Sequence, residues 1–253
     1  MRITVITVAY NSAATIADTL QSVAAQTHPD IEHIVVDGAS KDATLNIVRS
    51  KGARVASVLS EADGGIYDAM NKGLRLATGD FVGFLNADDL FADADAVARI
   101  AQAAAEPGVD AVFGDLVYVR EDDTTSIVRW WRSGRFDRRR LGFGWMPPHP
   151  TFYVRRSRLE KLGGFDESLR ISADYEFMLR YLSQRGAQAS YVPHVLVRMR
   201  MGGASNRSIA ALLRKMREDL LAVRRHRVGG AGTLACKNLR KLPQLFRRPE
   251  RPA

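Results

Sequence analysis

Short apolar runs alternate with amphipathic segments through the first 119 residues, and this alternation limits the possible folds more than any other feature of the sequence. Between the runs, apolar residues recur at helical spacing, as Ile16, Leu20 and Val23 do. Strands that alternate with helices predict an α/β fold with a mostly parallel central sheet and helices on both faces. The predicted strands cover residues 3–9, 33–37, 54–59, 81–85 and 110–119.

The second half of the chain is less regular. Residues 120–150 are rich in glycine and proline and predict a long loop, of the kind that often serves as a lid or binding loop. Two short strands are predicted around Pro193. The predicted helical segments cover residues 174–185, 208–227 and 234–246.

Acidic side chains follow three of the predicted strands. Asp37 ends the second strand, Asp63 follows the third and Asp88 follows the fourth. Right-handed crossovers place the carboxyl ends of parallel strands along one edge, so these side chains should face one crevice. Carboxylates that converge repel one another unless a cation or a hydrogen-bond donor lies between them.

The composition narrows the kind of cation. One cysteine, Cys236, excludes an internal disulfide and a multi-cysteine metal site, and it favours a cytosolic chain. Oxygen ligands favour Mn²⁺ or Mg²⁺, which commonly bind one or two carboxylates together with substrate phosphate. The first turn reads YNSA in place of a glycine-rich phosphate loop, and there is no Walker A sequence. A nucleotide diphosphate would therefore be held by carboxylates and metal.

Four segments, in order along the chain, resemble the family 2 glycosyltransferases of the GT-A fold. They are ITVAYN at 6–11, VVDGASKDAT at 35–44, EADGGIYDAMNKG at 61–73 and GDFVGFLNADD at 79–89. The resemblance covers roughly residues 1–205, and several motifs at matching spacing are more specific than any one of them. The 61–73 segment is similar to that of bacterial transferases of O-antigen and exopolysaccharide assembly.

The resemblance implies a nucleotide-sugar donor, most often a uridine one. Asp37 would bind the nucleobase, Asp63 would lie near base and ribose, and Asp88 would bind the metal at the second acidic position of a D-x-D motif. The first acidic position is Asn86 here, a departure from the motif. His194, which follows Pro193 near a strand end, is a second candidate metal ligand beside a structural role. The full donor set is Ala9, Tyr10, Asn11, Asp37, Asp63, Asn86, Ala87 and Asp88.

The resemblance also implies a catalytic base. Asp174 would take the proton of the acceptor hydroxyl, and Glu176 is the fallback. The family often has Glu before this Asp, whereas this chain has Ala173. One base and no covalent nucleophile give a single displacement that inverts the anomeric carbon. The predicted acceptor-binding residues are Asp89, His149, Arg138 and Arg139.

The processive members of the family carry a Q-x-x-R-W motif and spanning helices. Neither occurs in this sequence, and no uncharged apolar run reaches the roughly 20 residues of a spanning helix. We therefore expect transfer of one sugar per acceptor.

The net charge of +9 is concentrated at one end. Residues 207–253 hold 13 Lys and Arg against 3 Asp and Glu, whereas residues 1–206 are nearly neutral.

We expect a catalytic domain at 1–206, with a donor half at 1–119 and an acceptor half at 120–206, and a basic amphipathic helical tail at 207–253. Such a tail suits an anionic membrane surface, which attracts each basic residue by about 1 kcal/mol. A solvated basic terminus is the alternative.

Taken together, these expectations predict a cytoplasmic enzyme that binds peripherally to the inner face of the cytoplasmic membrane. Its acceptor would be a saccharide linked to a polyprenyl diphosphate, in the biosynthesis of a cell-surface polysaccharide. Two other functions remain open from the sequence. A non-catalytic sugar-nucleotide binder would account for Asn86 and Ala173, and a nucleic-acid-binding protein would use the tail. The acidic crevice argues against nucleic acid as a partner.

Overall fold

The computed structural model of the protein describes residues 1–202 and 209–240. These residues form nine strands and eight α-helices, with 3₁₀ helices at Arg138–Phe143 and His149–Thr151. In chain order the strands and α-helices are β1 Ile3–Ala9, α1 Ile16–Ala24, β2 Ile31–Asp37, α2 Thr44–Lys51, β3 Val55–Ser60, α3 Ile66–Leu76, β4 Phe81–Phe84, β5 Leu90–Phe91, α4 Ala96–Ala104, β6 Ala111–Val119, β7 Ile127–Trp131, β8 Tyr153–Arg155, α5 Arg156–Leu162, α6 Ala173–Leu182, β9 Ala189–Arg200, α7 Ile209–Arg225 and α8 Ala231–Leu239.

The described strands form one mixed sheet in the order β3-β2-β1-β4-β8-β6-β9-β5, with β7 paired to β6. Strands β3, β2, β1 and β4 are parallel, as the alternation of strands and helices predicts. Strand β8 then runs antiparallel between β4 and β6, and β5 and β7 add two further antiparallel pairs. The α/β fold is confirmed, and β6 and β9 form a further parallel pair.

Strand β1 shows how the two faces of the sheet are covered. Successive side chains of a strand point to opposite faces. Ile6 and Val8 pack into the cluster that contains α3 and α6, whereas Ile3 and Val5 pack into the cluster that contains α4. All seven residues of β1 are buried, which agrees with a run that is apolar except for Thr4 and Thr7.

The second half contains structure that the sequence patterns missed. Residues 120–150 include strand β7 and a 3₁₀ helix, and β8 and α5 follow directly. The two short strands predicted around Pro193 are one strand, β9, whose pairing with β6 shifts register between Gly114 and Leu116. Pro193 has no N–H for the ladder, so the strand continues past it only through this irregularity.

The described part of the predicted tail packs against the rest of the protein. Ala222, Val223 and Leu234 join the same core cluster as α6. Lys237 forms a buried ion pair with Asp219, with 2.8 Å between Nζ and Oδ2. Gly144 adopts a positive φ of 71°, and a Cβ there would lie 2.5 Å from the backbone N of Lys237. Helix α8 is therefore docked, and Leu234 and Lys237, which belong to the predicted membrane-binding tail, are buried in the protein.

Two further features bear on the predicted organisation. The predicted boundary at residue 206 and the membrane-facing residues predicted beyond 240 lie outside the described residues. Within 1–202 and 209–240, no helix combines the length and apolar content needed to cross a membrane.

A substitution at His33 tests the buried packing of β2. Burial lowers the pKa of His33 from 6.5 to about 4, and its Nε2 lies 3.0 Å from the hydroxyl of Thr7. Between those pH values the unfolded chain binds a proton at His33 that the folded chain does not bind. The free energy of unfolding should therefore fall as the pH drops from 6.5 to 4, with about 3 kcal/mol of the loss due to His33.

The measurement is urea unfolding of wild type and His33→Gln across this pH range. Glutamine keeps a polar group beside Thr7 and does not titrate, so the pH dependence should become shallower by that amount. Identical pH dependence in the two proteins would contradict a buried, neutral His33.

Candidate active site

The ends of β1, β2 and β3 lie side by side, because Ala9 pairs with Asp37 and Asp37 pairs with Ser60. Asp37 is fully buried. Its Oδ2 accepts hydrogen bonds from the Ser40 N–H at 3.0 Å and from the Ser60 hydroxyl at 2.8 Å. Its Oδ1 has no hydrogen-bond partner among the described residues. A buried carboxylate oxygen in this state can accept an N–H from a ligand.

The loop after β1 is tied to the loop after β2. Asn11 has a positive φ of 48°; its N–H donates to the Ser40 hydroxyl at 2.8 Å, and its side-chain oxygen accepts from the Lys41 N–H at 2.9 Å. Tyr10, just before it, is 61% exposed. These bonds fix the backbone of the loop and leave an aromatic ring at its surface beside Asp37.

Asp63 closes the other side of this surface. Its Oδ1 accepts from the Gly65 N–H at 2.9 Å. A Cβ on Gly38 would lie 2.4 Å from Asp63 Oδ2 and 3.4 Å from the ring of Tyr10. Tyr10, Asp37 and Asp63 therefore surround one glycine, as the strand-end argument predicts.

The Asn86–Asp89 segment forms a turn after β4. The Ala87 N–H donates to Val8 O at 3.3 Å, and the Asp89 N–H donates to Asn86 O at 3.0 Å. Asp88 is half-buried, and burial raises its pKa although the charge of Arg200 opposes the increase. Asp89 is fully buried beneath the turn. An acceptor at the surface does not reach the Asp89 side chain in this conformation, and its predicted acceptor contact stays a prediction.

The residue of β9 that contacts Asp88 is Arg200, at the end of the strand, and not the predicted His194. Arg200 is 6% exposed, and its Nη1 donates to the backbone oxygen of Asp88 at 2.8 Å. Its Nη2 pairs with Asp18. His194 lies six residues earlier on the same strand, which places it about 20 Å away at 3.3 Å per residue. The structure therefore does not bring His194 to Asp88.

Asp174 lies in the first turn of α6. Its Oδ1 accepts from the Tyr175 N–H at 2.7 Å and lies 3.5 Å from the hydroxyl of Tyr67. Position 174 is partly exposed, which leaves the carboxylate accessible to a substrate.

Glu176 does not fit its predicted fallback role. It is 2% exposed and bonded to His226 at 2.7 Å and to Arg180 at 2.9 Å. Burial opposes its ionisation, but the hydrogen bond from His226 and the charge of Arg180 outweigh that effect and lower its pKa. Glu176 therefore links α6 to α7 and is not available as a base.

His149 lies between the turn after β4 and the start of α6. Its ring stacks on Phe84 with 5.5 Å between centroids. Burial lowers the pKa of His149, and the charge of Asp174 opposes this decrease. Its Nε2 has no partner among the described residues. A neutral imidazole at this position can donate a hydrogen bond to a substrate hydroxyl or accept one from it.

Tyr118, on β6, is close enough to Asp89 and to Asp174 to feel the charge of both. The sequence patterns did not identify this residue. Burial raises the pKa of Tyr118, Arg129 opposes the increase, and the charges of Asp89 and Asp174 add to it. Both carboxylates therefore lie within electrostatic range of one hydroxyl. Arg129, on β7, stacks on the Tyr118 ring at 3.8 Å. This pair could be found only once β7 was known to lie next to β6.

Arg138 and Arg139 lie apart from these residues. Arg138 Nε donates to Ser183 O, just after the C-terminal end of α6, whereas Asp174 lies at its N-terminal end. Ten helical residues span about 15 Å. Arg139 pairs with Asp137 at the surface. Their acceptor-binding role stays a prediction that this conformation does not support.

The oxygen atoms near Asp88 fit a hard divalent cation. Asn86 Oδ1 and Asp89 Oδ1 are buried without hydrogen-bond partners among the described residues. The same part of the chain contains no group of three or more His, Cys, Asp or Glu side chains that could hold a metal alone. The donor set therefore suits Mn²⁺ or Mg²⁺ shared with substrate phosphate.

Comparison with known proteins agrees with this geometry. Residues 4–167 match the family model "Glycosyl transferase family 2". The "PGL/p-HBAD biosynthesis glycosyltransferase" of Mycobacterium bovis (strain BCG / Pasteur 1173P2) is 36% identical over 202 residues, which cover 78% of this chain and 76% of the relative. An uncharacterized glycosyltransferase of Mycobacterium tuberculosis is 35% identical over 181 residues, 70% of this chain and 68% of the relative.

Two solved structures share the fold at low sequence identity. S. aureus TarS 1-349 in complex with UDP-GlcNAc has a TM-score of 0.66 at 20% identity, covering 97% of this chain and 78% of that one. The mannosyltransferase PcManGT from Pyrobaculum calidifontis, in complex with GDP-Man and Mn²⁺, has a TM-score of 0.67 at 24% identity, covering 94% and 69%. This chain spans 40% of a longer S. aureus TarS chain. The GT-A fold is confirmed.

A double-mutant cycle tests the contact of Asp63 with Gly38. The Cβ of Gly38→Ala would collide with the Asp63 carboxylate, which must rotate away and lose its hydrogen bond from the Gly65 N–H, at a cost of about 1 kcal/mol of unfolding free energy. Asp63→Ala removes the colliding atoms. In urea unfolding, the double variant should therefore be more stable than the sum of the two single effects predicts. Strict additivity would show that the two positions are not in contact.

Proposed function

The chain belongs to glycosyl transferase family 2 and is a glycosyltransferase, and from this premise we propose that it transfers one sugar from a nucleotide-sugar donor with inversion of the anomeric carbon. The acceptor in this proposal is a hydroxyl of a lipid-linked saccharide destined for a cell-surface polysaccharide. The observation that carries the proposal is geometric. The carboxylates of Asp37, Asp63 and Asp88 follow neighbouring parallel strands, and the Tyr67 hydroxyl of α3 lies 3.5 Å from Asp174 Oδ1.

The donor nucleotide would bind at the ends of β1, β2 and β3. Asp37 Oδ1 is buried and unpartnered, so it suits a nucleobase N–H, and Tyr10 and Asp63 flank it. The solved neighbours bind UDP, UDP-GlcNAc or GDP-Man. A uridine nucleotide is our first expectation for this chain.

A divalent metal would be held by Asp88, with the amide oxygen of Asn86 nearby. When bound, it would supply positive charge that stabilises the departing nucleoside diphosphate. Arg200 places a fixed cation beside the backbone of Asp88. Mn²⁺ is present in the solved mannosyltransferase neighbour.

The acceptor hydroxyl would lose its proton to Asp174. A general base must lie within hydrogen-bond reach of that proton, and Asp174 is the partly exposed residue in the otherwise buried first turn of α6. His149 would hydrogen-bond the acceptor from below. Because the hydroxyl attacks as the diphosphate departs from the opposite face, the anomeric configuration inverts.

The outward surface of α7 is the part of the chain that suits an anionic membrane. Both acidic residues of α7 are turned inward: Glu218 binds the backbone of residues 170–172, and Asp219 pairs with Lys237. The remaining outward side chains are apolar or basic. The exposed apolar residues are Leu212, Leu213, Met216 and Leu221, and the exposed basic residues include Arg214, Arg217 and Arg224. This surface supports a peripheral location at the inner face of the cytoplasmic membrane.

Asp174→Asn tests the base. A positioned base contributes about 10²–10⁴-fold, so turnover should fall by at least about a hundredfold. The dissociation constant of the donor nucleotide should change little, because Asp174 does not lie at the nucleotide-binding strand ends. Turnover is followed as release of nucleoside diphosphate from UDP-glucose, UDP-GlcNAc and GDP-mannose, with Mn²⁺ and a bacterial lipid extract as the acceptor source.

The control is Asp122→Asn, which removes an exposed carboxylate that pairs with Arg120 at the surface. It should turn over as wild type does. Undiminished turnover in Asp174→Asn would exclude this residue as the base.

Arg214→Gln combined with Arg217→Gln tests the membrane surface. At about 1 kcal/mol for each basic residue near an anionic surface, the pair should weaken binding to phosphatidylglycerol vesicles by about thirtyfold. Nucleotide binding should be unchanged. The measurement is vesicle co-sedimentation at fixed ionic strength, with phosphatidylcholine vesicles as the neutral reference.

A matched variant carries Arg49→Gln and Arg185→Gln, two exposed arginines on other elements, α2 and the loop after α6. It loses the same charge and should keep its vesicle binding. Equal losses in both variants would attribute binding to net charge, and the α7 surface would be rejected. Deletion of α8 is unsuitable for this test, because that helix is part of the core.

A further inference from the structure

The segment that leads into α6 is held by one side chain from α7. The carboxylate of Glu218 accepts three backbone N–H groups in a row. Its Oε1 accepts from Arg170 at 3.1 Å, and its Oε2 accepts from Ile171 at 2.8 Å and from Ser172 at 2.9 Å. Hydrogen bonds to an ionised acceptor are among the strongest in proteins. Asp174 lies two residues beyond the last of these amides.

Helix α6 lacks the usual local cap at its N-terminus. Ser172 occupies the N-cap position, but its side chain makes no capping hydrogen bond, and its hydroxyl is buried without a partner among the described residues. The first N–H groups of a helix need acceptors from outside it. Glu218 meets part of this need just ahead of the helix, from a residue 46 positions away in sequence.

The same segment is held from the donor side as well. The Tyr67 hydroxyl donates to Ile171 O at 2.7 Å, and Arg170 Nη1 donates to Gly64 O at 3.3 Å. Gly64 follows Asp63 directly. Burial raises the pKa of Tyr67, and the charges of Asp174 and Glu218 add to the increase, so both carboxylates lie near one hydroxyl. Residues 170–172 thus connect the donor loop, the start of α6 and α7.

We propose that Glu218 is a positioning residue that sets the place of Asp174 by binding the backbone N–H groups of Arg170, Ile171 and Ser172. This proposal rests on the proposed role of Asp174 as the base. Without Glu218 the segment would keep only its contacts on the donor side, and the Asp174 carboxylate would move relative to the acceptor hydroxyl. A displacement of about 1 Å at a reacting group can cost about a hundredfold in rate.

The bond geometry predicts an order of effects among variants. Glu218→Gln can keep one acceptor oxygen toward Ile171 and Ser172 and loses the bond to Arg170, so turnover should fall only about threefold. Glu218→Ala loses all three bonds, so turnover should fall about thirtyfold or more. Neither change touches the strand ends that would bind the nucleotide, so the UDP dissociation constant should stay within about twofold of wild type.

The experiment measures three quantities on the full chain. Turnover and KM are taken from nucleoside diphosphate release with UDP-glucose, UDP-GlcNAc and GDP-mannose, and UDP binding is taken from calorimetry with Mn²⁺. Hydrogen–deuterium exchange measures the exchange rates of the backbone amides of residues 170–172. These rates should be higher in the variants, and the variant with the larger increase should have the larger loss of turnover. The control is Glu160→Gln, which loses an exposed ion pair with Arg156 and should match wild type throughout.

The outcomes separate this proposal from that for Asp174. A positioning role is supported by faster amide exchange at residues 170–172 and lower turnover, with unchanged UDP binding. It also requires that Glu218→Gln retain more turnover than Glu218→Ala. Wild-type turnover in Glu218→Ala, while Asp174→Asn is inactive, overturns the role of Glu218 and leaves the base in place. An equal loss of UDP binding and turnover in Glu218→Gln also overturns it, since the residue would then be structural. Full turnover in Asp174→Asn refutes the base itself, and the positioning role falls with it.

Discussion

The register of β1, β2 and β3 is the constraint on which the rest of the site depends. It aligns Ala9, Asp37 and Ser60 at one edge, so the Ser60 hydroxyl and the Ser40 N–H can hold one oxygen of a fully buried carboxylate. The other oxygen stays unpartnered among the described residues. A shift of one residue in either pairing would turn Asp37 to the opposite face and leave the cleft without its central acceptor.

The donor half of the fold could be predicted from sequence because its signals are local. Each of its buried strands is one apolar run, and parallel topology brings the strand ends together whatever their exact bounds. Asp37, Asp63 and Asp88 were found by this reasoning alone. Asp174 was found through the family resemblance, because an acidic residue in the first turn of a helix has a structural explanation as well.

The acceptor half could not be predicted in the same way, since its contacts join distant residues. Strand β7 lies in a stretch that resembles a loop, and only its pairing with β6 places Arg129 on Tyr118. Arg200 reaches Asp88 from 112 residues away, and no local pattern distinguishes it from the other arginines. Glu176 and Glu218 are both acidic residues of predicted helices. In the structure, however, Glu176 binds His226 and Glu218 binds backbone N–H groups. Burial and long-range pairing decide these roles.

The most direct test of the donor site compares nucleotides that differ at the position facing Asp37. Uracil and guanine each offer a ring N–H to a carboxylate, whereas the corresponding ring nitrogen of cytosine is an acceptor. A nucleotide binds much more weakly if its base leaves the buried carboxylate of Asp37 unpaired or places an acceptor against it. In calorimetry with Mn²⁺, we predict that UDP or GDP binds at least about tenfold more tightly than CDP, and that Asp37→Asn removes most of this preference. CDP binding as tight as that of both other nucleotides would contradict the assignment of Asp37 and the donor site built around it.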